Sequence, residues 1–314
     1  MRPLVSIVIP CFITTTRQAD LLDETLSTVA QQSLRDYEVI VVDDGSPVEV
    51  RPSDRQLPQI QVVVQRNGGS AMARNTGVRR SRGEMVVFLD ADDHLLAPAL
   101  QAGVDALRAE PEAGFAIGPR EEMDFEGNPV AWSVPPPPSD SDIYRSLLAF
   151  DWYIIPPSSA MFRRSVVEEV EGFQDPWGAD DLDFYLRVAR RYRACSYQTP
   201  PVTRYRRYSS SSSRDGERML HSVRAVYARQ WPHIRGNPEL EAAYRQGLAA
   251  LTEIFLDCVV ENIQERLRAG SHEAAMRSAK LLSAESPERW RGLVATGEAG
   301  IAAVAQYLDG RRSA

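Results

Sequence analysis

The sequence predicts an α/β fold, with a Rossmann-like, mostly parallel sheet flanked by helices and a helical region toward the C-terminal end. Two observations carry this prediction. In the first half, short apolar runs alternate with segments of helical periodicity, the pattern of parallel strands joined by right-handed crossovers. After about residue 215 the chain keeps helical periodicity alone. We therefore expect two domains, at residues 1–215 and 216–314.

Four apolar runs predict the strands of the first half, because continuous rather than alternating apolar residues indicate burial on both faces. These runs are residues 5–10, 38–42, 60–65 and 85–89. Apolar residues at helical spacing predict helices over two intervening segments, 20–32 and 70–80. We expect the four strands to lie parallel in one sheet.

The rest of the predicted α/β domain is less regular. A proline run at 135–138 predicts a loop. The elements expected after it are a helix at 143–150, a strand at 158–163, a short helix at 166–170 and a helix at 180–193. The last of these has an acidic first turn, which favours the helix dipole.

Charge and composition exclude some classes of function. The 314 residues carry a formal net charge of −7 and a pI of about 5.3, and an acidic chain lacks the basic surface that sequence-independent nucleic-acid binding needs. The three cysteines are far apart and form no CxxC pair, which suits a reducing compartment. No stretch approaches roughly 18 uninterrupted apolar residues. We expect a soluble, cytoplasmic protein without a nucleic-acid partner.

Polar residues follow three of the predicted strands. Pro10 ends the first, Asp43 and Asp44 end the second, and the acidic segment 90–93 ends the fourth. Parallel sheets bind ligands beyond the carboxyl ends of their strands, and carboxylates there suit Mg²⁺ or Mn²⁺ bridging two phosphates. Taken singly, each cluster is as well explained by a surface turn or a helix cap.

Together the segments are much more specific. Residues 6–10, 41–46, 67–77 and 83–93 carry motifs that appear in this order, and this combination resembles the family 2 inverting glycosyltransferases with the GT-A fold. The resemblance implies transfer of a sugar from a nucleotide-sugar donor, most often a UDP-sugar, to a saccharide or other hydroxyl acceptor, assisted by Mn²⁺ or Mg²⁺.

The resemblance also implies roles for individual residues. Those expected to contact the nucleotide are Pro10, Phe12, Asp43, Asp44, Asn67, Arg74, Asp90 and Ala91. Asp92, helped by Asp93, is expected near the metal and the diphosphate.

The family carries its catalytic base in an acidic pair after a Gly-Phe, and here Gly172 and Phe173 precede Asp180 and Asp181. We expect Asp181 to be the base, with Asp180 as the alternative; a merely structural acidic first turn is the competing explanation. Trp177 is a weaker candidate, either stacking on an acceptor sugar or packing as part of a lid.

The chain departs from its relatives at two places. Cys11 and the residues after it replace a Tyr-Asn that many relatives carry, so the pocket edge over the base is expected to differ. Tyr208 stands where relatives often have a histidine. Arg206 or Arg207 would then hold the diphosphate, unless this segment is simply a solvated basic loop.

Two other function classes remain open at this point: a non-catalytic binding module with a degenerate transferase fold, and a nucleotidyltransferase. The first would be expected to have lost its acids, and the second would need a glycine-rich signature after the first strand. The segment 286–290 lacks the glutamine of processive relatives, which favours addition of single sugars. The C-terminal helices would pack structurally, form a homodimer or touch a membrane surface.

Overall fold

The computed structural model describes residues 2–52, 57, 60–130, 142–151, 156–174, 178–196, 201–207 and 212–312. The contacts divide the chain into two compact units, Met1–Tyr208 and Ser209–Ala314. The division falls a few residues before the change that the sequence places near residue 215.

Among the residues that the structure describes, the first unit contains the strands and six of the α-helices. In chain order, the strands among the described residues are β1 (Val5–Cys11), β2 (Tyr37–Asp43), β3 (Ile60–Val64), β4 (Met85–Phe88), β5 (His94–Leu95), β6 (Ala113–Ile117), β7 (Arg120–Met123), β8 (Pro129–Val130), β9 (Ala160–Arg163), β10 (Arg193–Ser196) and β11 (Thr203–Arg206). The helices are α1 (Thr16–Ala30), α2 (Ser70–Arg80), α3 (Ala99–Ala109), α4 (Ile143–Ala149), α5 (Arg164–Glu169) and α6 (Asp180–Ala189).

The larger sheet has seven strands in the order β10-β6-β9-β4-β1-β2-β3. Its pairings are parallel except at β9, which is antiparallel to both β4 and β6. This confirms the predicted mostly parallel sheet. The smaller sheet, in the order β5-β11-β7-β8, was not predicted, because its strands are short and rich in charged residues.

The central strands are apolar because both faces of the sheet are covered. Every residue of β1, β2 and β4 is buried, as expected for strands with helices on either side. Helix α2 approaches β1 at Gly77, where an added Cβ would lie 2.2 Å from Cγ1 of Val8. A larger side chain at residue 77 would push α2 away from the sheet edge that carries the site.

Gly77→Ala is expected to lower the free energy of unfolding by about 1–3 kcal/mol, because an extra methyl must displace the packed side chain of Val8. Gly292→Ala is the matched control, since nothing lies within 4 Å of an added Cβ there and alanine favours a helix. Urea titration of both variants measures the difference. A Gly77→Ala midpoint equal to wild type would contradict this close packing.

The second unit is helical. Its helices are α7 (Gly216–Ile234), α8 (Pro238–Arg268), α9 (His272–Glu285), α10 (Pro287–Val294) and α11 (Ala299–Arg312). Helices α7 and α8 approach closely at Gly216, where a Cβ would lie 2.5 Å from the carbonyl oxygen of Phe255. Across the described residues, every helix is too short or too polar to span a bilayer.

Candidate active site

The site is built where β1, β2 and β4 end. β1 pairs in parallel with both β2 and β4, so all three carboxyl ends lie at one edge of the sheet. The amide of Asp44 donates to the carbonyl oxygen of Cys11 at 2.8 Å, which joins the first two ends directly. This shared edge brings the polar clusters that follow these strands onto one rim.

Asp44 organises the loop that follows β3. Its buried carboxylate accepts hydrogen bonds from the amides of Gly68 and Gly69, at 2.9 and 2.8 Å, and from Nε2 of Gln65 at 2.7 Å. The neighbouring Asp43 accepts from the amide of Ser46 at 2.8 Å. Both acids therefore fix the backbone of the loops that border the expected nucleotide pocket.

Two other expected nucleotide contacts differ in exposure. Pro10 is buried within β1, whereas Phe12, just past the strand, is 46% exposed. Asn67 is also exposed, next to the turn at Gly45, whose φ of +77° favours glycine. Phe12 thus exposes an aromatic ring just past the carboxyl end of β1, a surface on which a flat base can stack.

Arg74 connects the two acidic clusters of the site. From α2 its Nη1 donates to Oδ2 of Asp180, and its Nη2 donates to Oδ1 of Asp90 at 2.7 Å. The guanidinium also lies over the ring of Phe173, 5.2 Å from the centroid. Its planar fork therefore holds together a strand end and a helix start that are far apart in the sequence.

Burial alone would lower the pKa of Arg74, but the carboxylates of Asp90 and Asp180 outweigh it and the pKa is raised. The arginine stays charged. Its Nε is buried and has no hydrogen-bond partner among the described residues.

The acidic pair occupies the first turn of α6. Asp180 is 6% exposed and accepts from Arg74 and from Oγ of Ser70, the latter at 3.3 Å. Asp181 is half-buried and accepts a local hydrogen bond from the backbone amide of Leu182 at 2.7 Å. Burial, followed by the charge of Asp180, raises the pKa of Asp181 to about 7. Burial also raises the pKa of Asp180, although Arg74 opposes the shift.

Asn75 holds the segment that leads to this pair, a role that the sequence did not predict. The side chain of Asn75 donates to the carbonyl of Phe173 at 2.8 Å and accepts from its amide at 2.9 Å. Gly172 has a φ of +63°, and a Cβ there would lie 2.3 Å from Oδ1 of Asn75. The turn at Gly172 and Phe173, before the acidic pair, is therefore held against α2 by the side chain of Asn75. The adjacency of Asn75 to Arg74 was the only available signal.

The loop after β4 uses its acids differently. Asp93 is 1% exposed, and its two oxygens accept from Oγ of Ser158 and from the amide of Arg206, at 2.8 and 2.9 Å. Burial and then the charges of Asp92 and Asp90 raise its pKa. Asp92 is half-buried, as is Ala91. Asp93 thus fixes the loop internally.

Arg206 is neither a solvated residue nor an open phosphate ligand. Its side chain is fully buried, and its donors reach the carbonyls of Asp92 and Phe125, at 2.8 and 2.6 Å, and Oε2 of Glu24 at 2.9 Å. Arg207 is 44% exposed and pairs with Glu122 at 3.0 Å. The expectation that Arg206 faces the diphosphate is therefore wrong, because protein acceptors occupy its guanidinium.

Two expected site residues, Trp177 and Tyr208, lie outside the described residues.

The mostly parallel α/β sheet, with an arginine that joins a carboxylate at a strand end to one at a helix start, has the architecture of a GT-A-type glycosyltransferase. Residues 6–171 match "Glycosyl transferase family 2", which is more than half of the chain. The protein belongs to this family and is a glycosyltransferase, as the ordered motifs predict.

Curated relatives agree with this assignment. The chain is 30% identical over 189 residues to the uncharacterized glycosyltransferase YwdF of Bacillus subtilis, covering 58% of this chain and 68% of YwdF. It is 28% identical over 222 residues to the O-antigen biosynthesis protein RfbC of Myxococcus xanthus, covering 68% of this chain but 17% of RfbC.

Solved structures show the same fold. TarS 1–349 of S. aureus, in complex with UDP-GlcNAc, superposes with a TM-score of 0.63 at 15% identity, covering 98% of this chain and 92% of TarS 1–349. The mannosyltransferase PcManGT of Pyrobaculum calidifontis, in complex with GDP-Man and Mn²⁺, superposes with a TM-score of 0.56 at 24% identity, covering 97% and 86%.

Proposed function

We propose that the protein is an inverting, non-processive transferase that moves a sugar from a nucleotide-sugar donor, a UDP-sugar, to an acceptor hydroxyl with divalent-metal assistance. The observation that carries the proposal is the double ion pair of Arg74, which holds Asp90 and Asp180 in one site with Asp181 beside them. Direct displacement needs the sugar donor and a general base in the same site. The site joined by Arg74 contains carboxylates for both tasks.

The donor end is assigned to the rim around β1 and β2. Phe12 supplies an exposed aromatic face for the base, and the loop fixed by Asp44 borders it. The complexes of TarS with UDP-GlcNAc and of PcManGT with GDP-Man support a nucleotide-sugar as the donor. We assign the ribose side of the pocket to Asp90, whose carboxylate is 27% exposed.

The acceptor end is assigned to Asp181. A carboxylate with a pKa of about 7 is a stronger base than an ordinary aspartate and is still half ionised near neutral pH. It removes the proton of the acceptor hydroxyl as the oxygen attacks the anomeric carbon. The nucleotide diphosphate leaves from the opposite face, and this single displacement inverts the anomeric centre.

The chemistry of the residues fits a divalent cation bound mostly by its substrate. Within the described part of the chain, no three His, Cys, Asp or Glu side chains converge as a metal site. Mg²⁺ and Mn²⁺ ions that bridge phosphates use one or two carboxylates and take their other oxygens from phosphate and water. Asp92 would hold such an ion, which would neutralise charge on the departing diphosphate.

A thermal-shift panel tests the proposal. UDP with Mn²⁺ is expected to raise the melting temperature, since a ligand at a hundred times its Kd adds about 2.7 kcal/mol of stability. UDP with EDTA is expected to give a much smaller shift, and Asp92→Ala is expected to abolish the difference between the two. CMP serves as the pyrimidine control without a diphosphate. A melting temperature that is indifferent to every nucleotide would instead support a non-catalytic binding module.

A further inference from the structure

Five segments of the first unit meet at one buried guanidinium. Arg206 on β11 contacts Glu24 of α1, the loop after β4, His94 of β5 and the turn between β7 and β8. The contacts span 182 positions to Glu24, 114 to Asp92 and 81 to Phe125.

The donors of Arg206 are matched one by one. Nε donates to the carbonyl of Asp92 at 2.8 Å, and Nη1 donates to the carbonyl of Phe125 at 2.6 Å with that of Asp124 at 3.5 Å. Nη2 donates to Glu24 at 2.9 Å and lies 3.2 Å from Nε2 of His94. All three nitrogens of the guanidinium therefore donate to protein oxygen atoms.

His94 on β5 lies beside this cluster. Its Nε2 is 3.2 Å from Nη2 of Arg206 and 3.8 Å from Oε2 of Glu24. Arg206 therefore has its ionic partner in Glu24, and its other contacts are to carbonyl groups and the imidazole ring.

The loop after β4 is held from both of its last residues. The backbone amide of Arg206 donates to Oδ1 of Asp93 at 2.9 Å, while its side chain holds the carbonyl of Asp92. One residue of β11 therefore holds the main chain at Asp92 and the side chain of Asp93, next to the proposed metal-side carboxylate. Since main-chain position limits where a side chain can reach, these contacts constrain the position of the Asp92 carboxylate.

We propose that Arg206 is the positioning residue of the diphosphate site: it holds the Asp90–Asp93 loop in its binding conformation without touching the substrate. This inference rests on the proposed function for the ligand and on the contacts above for the loop. Lysine cannot replace the group, because one ammonium cannot reach the carbonyls of Asp92 and Phe125 and the carboxylate of Glu24 in the same planar array.

Arg206→Lys tests the proposal, and Arg163→Lys is the control variant. Arg163 likewise donates to main-chain carbonyls, those of Ala113 and Leu107, at 2.8 and 2.6 Å, but it braces β9 against another part of the unit. Two readouts are used: amide hydrogen exchange of a peptide covering 90–95 without ligand, and the Mn²⁺ concentration that gives half of the UDP-induced thermal shift.

In Arg206→Lys, we expect exchange of the 90–95 peptide to accelerate about 10-fold or more, as when a loop opens about 1.4 kcal/mol more easily. The half-maximal Mn²⁺ concentration should rise by a similar factor. Arg163→Lys is expected to lower the melting temperature and to change neither readout. Glu24→Gln, which removes the one ionic partner, should move both readouts in the same direction by a smaller factor, and it is the variant to use if Arg206→Lys does not fold.

Unchanged exchange in Arg206→Lys, or in Glu24→Gln if the lysine variant does not fold, overturns the positioning role. So does a wild-type Mn²⁺ dependence in the variant when the wild-type protein itself responds to UDP. A wild-type protein without any nucleotide response overturns the proposed function and, with it, the ligand side of this inference. The exchange readout distinguishes these failures because it needs no ligand.

Discussion

Asp181→Asn is expected to lower the rate of sugar transfer by about 10²- to 10⁴-fold, the contribution of a positioned general base, while leaving nucleotide affinity at the wild-type level. Asparagine has the size of aspartate, and its side-chain oxygen can still accept the hydrogen bond from the backbone N–H of Leu182. It cannot, however, take the proton from the hydroxyl of the acceptor substrate. The change should therefore appear in kcat rather than in the donor KM. Turnover at the wild-type rate would move the base to Asp180 or elsewhere.

The pH profile provides the second half of this test. Asp181 must be ionised to accept a proton, so activity should rise with pH through an apparent pKa of about 7. With an ordinary aspartate, the midpoint of this rise, the acidic limb of the pH profile, would lie near pH 3.9. Asp183→Asn is the matched control from the same turn. Asp183 is fully buried and pairs with Arg187 at 2.8 Å, so its loss should reduce stability without moving the limb.

Stability should change with pH in the opposite sense to activity. The folded state raises the pKa of Asp181, so the stability that this carboxyl contributes is complete below its unfolded pKa and is lost as pH rises through about 7. The wild-type melting temperature should therefore fall between pH 5 and pH 8 by more than that of Asp181→Asn. Equal slopes for the two proteins would show that this carboxyl is not perturbed.

Arg74→Lys is expected to lower kcat/KM by about 10²-fold, the typical result of a small misplacement of catalytic groups. The guanidinium holds Asp90 and Asp180 with separate nitrogens, and lysine offers only one point of attachment. Steady-state kinetics of the variant, with circular dichroism to verify folding, measure the effect. Kinetics equal to wild type would show that the double ion pair does not position the site.

Two further variants separate position from charge. The charge of Arg74 lowers the pKa of Asp181, and the charge of Asp180 raises it. Arg74→Met should therefore shift the acidic limb of the pH profile upward, and Asp180→Asn should shift it downward. Shifts in the same direction would contradict this electrostatic coupling. Because Arg74→Met leaves two carboxylates without their shared partner, a loss of stability of about 3–5 kcal/mol is also expected.

The strands that the sequence predicted best are those whose burial can be read from residue type alone. β1, β2 and β4 are covered on both faces and so consist of continuous apolar residues, and their predicted bounds lie within one residue of the observed ones. β7 and β11 were not predicted. They carry two buried charged residues, Glu122 and Arg206. Glu122 pairs with Arg207, and Arg206 pairs with Glu24 of α1. The pattern of residue types along the sequence contains no sign of such pairing.

The same distinction applies within the site. The sequence by itself placed Asp44, Asp92 and Asp181 at strand ends and a helix start, because motif order and residue type determine local structure. Only the tertiary structure decided that Arg74 joins the acidic clusters, and that Arg206 is enclosed by carbonyls and not open to a phosphate. Whether a charged side chain meets a ligand or another part of the chain depends on partners that are 100 or more residues away, and only folding brings those partners together.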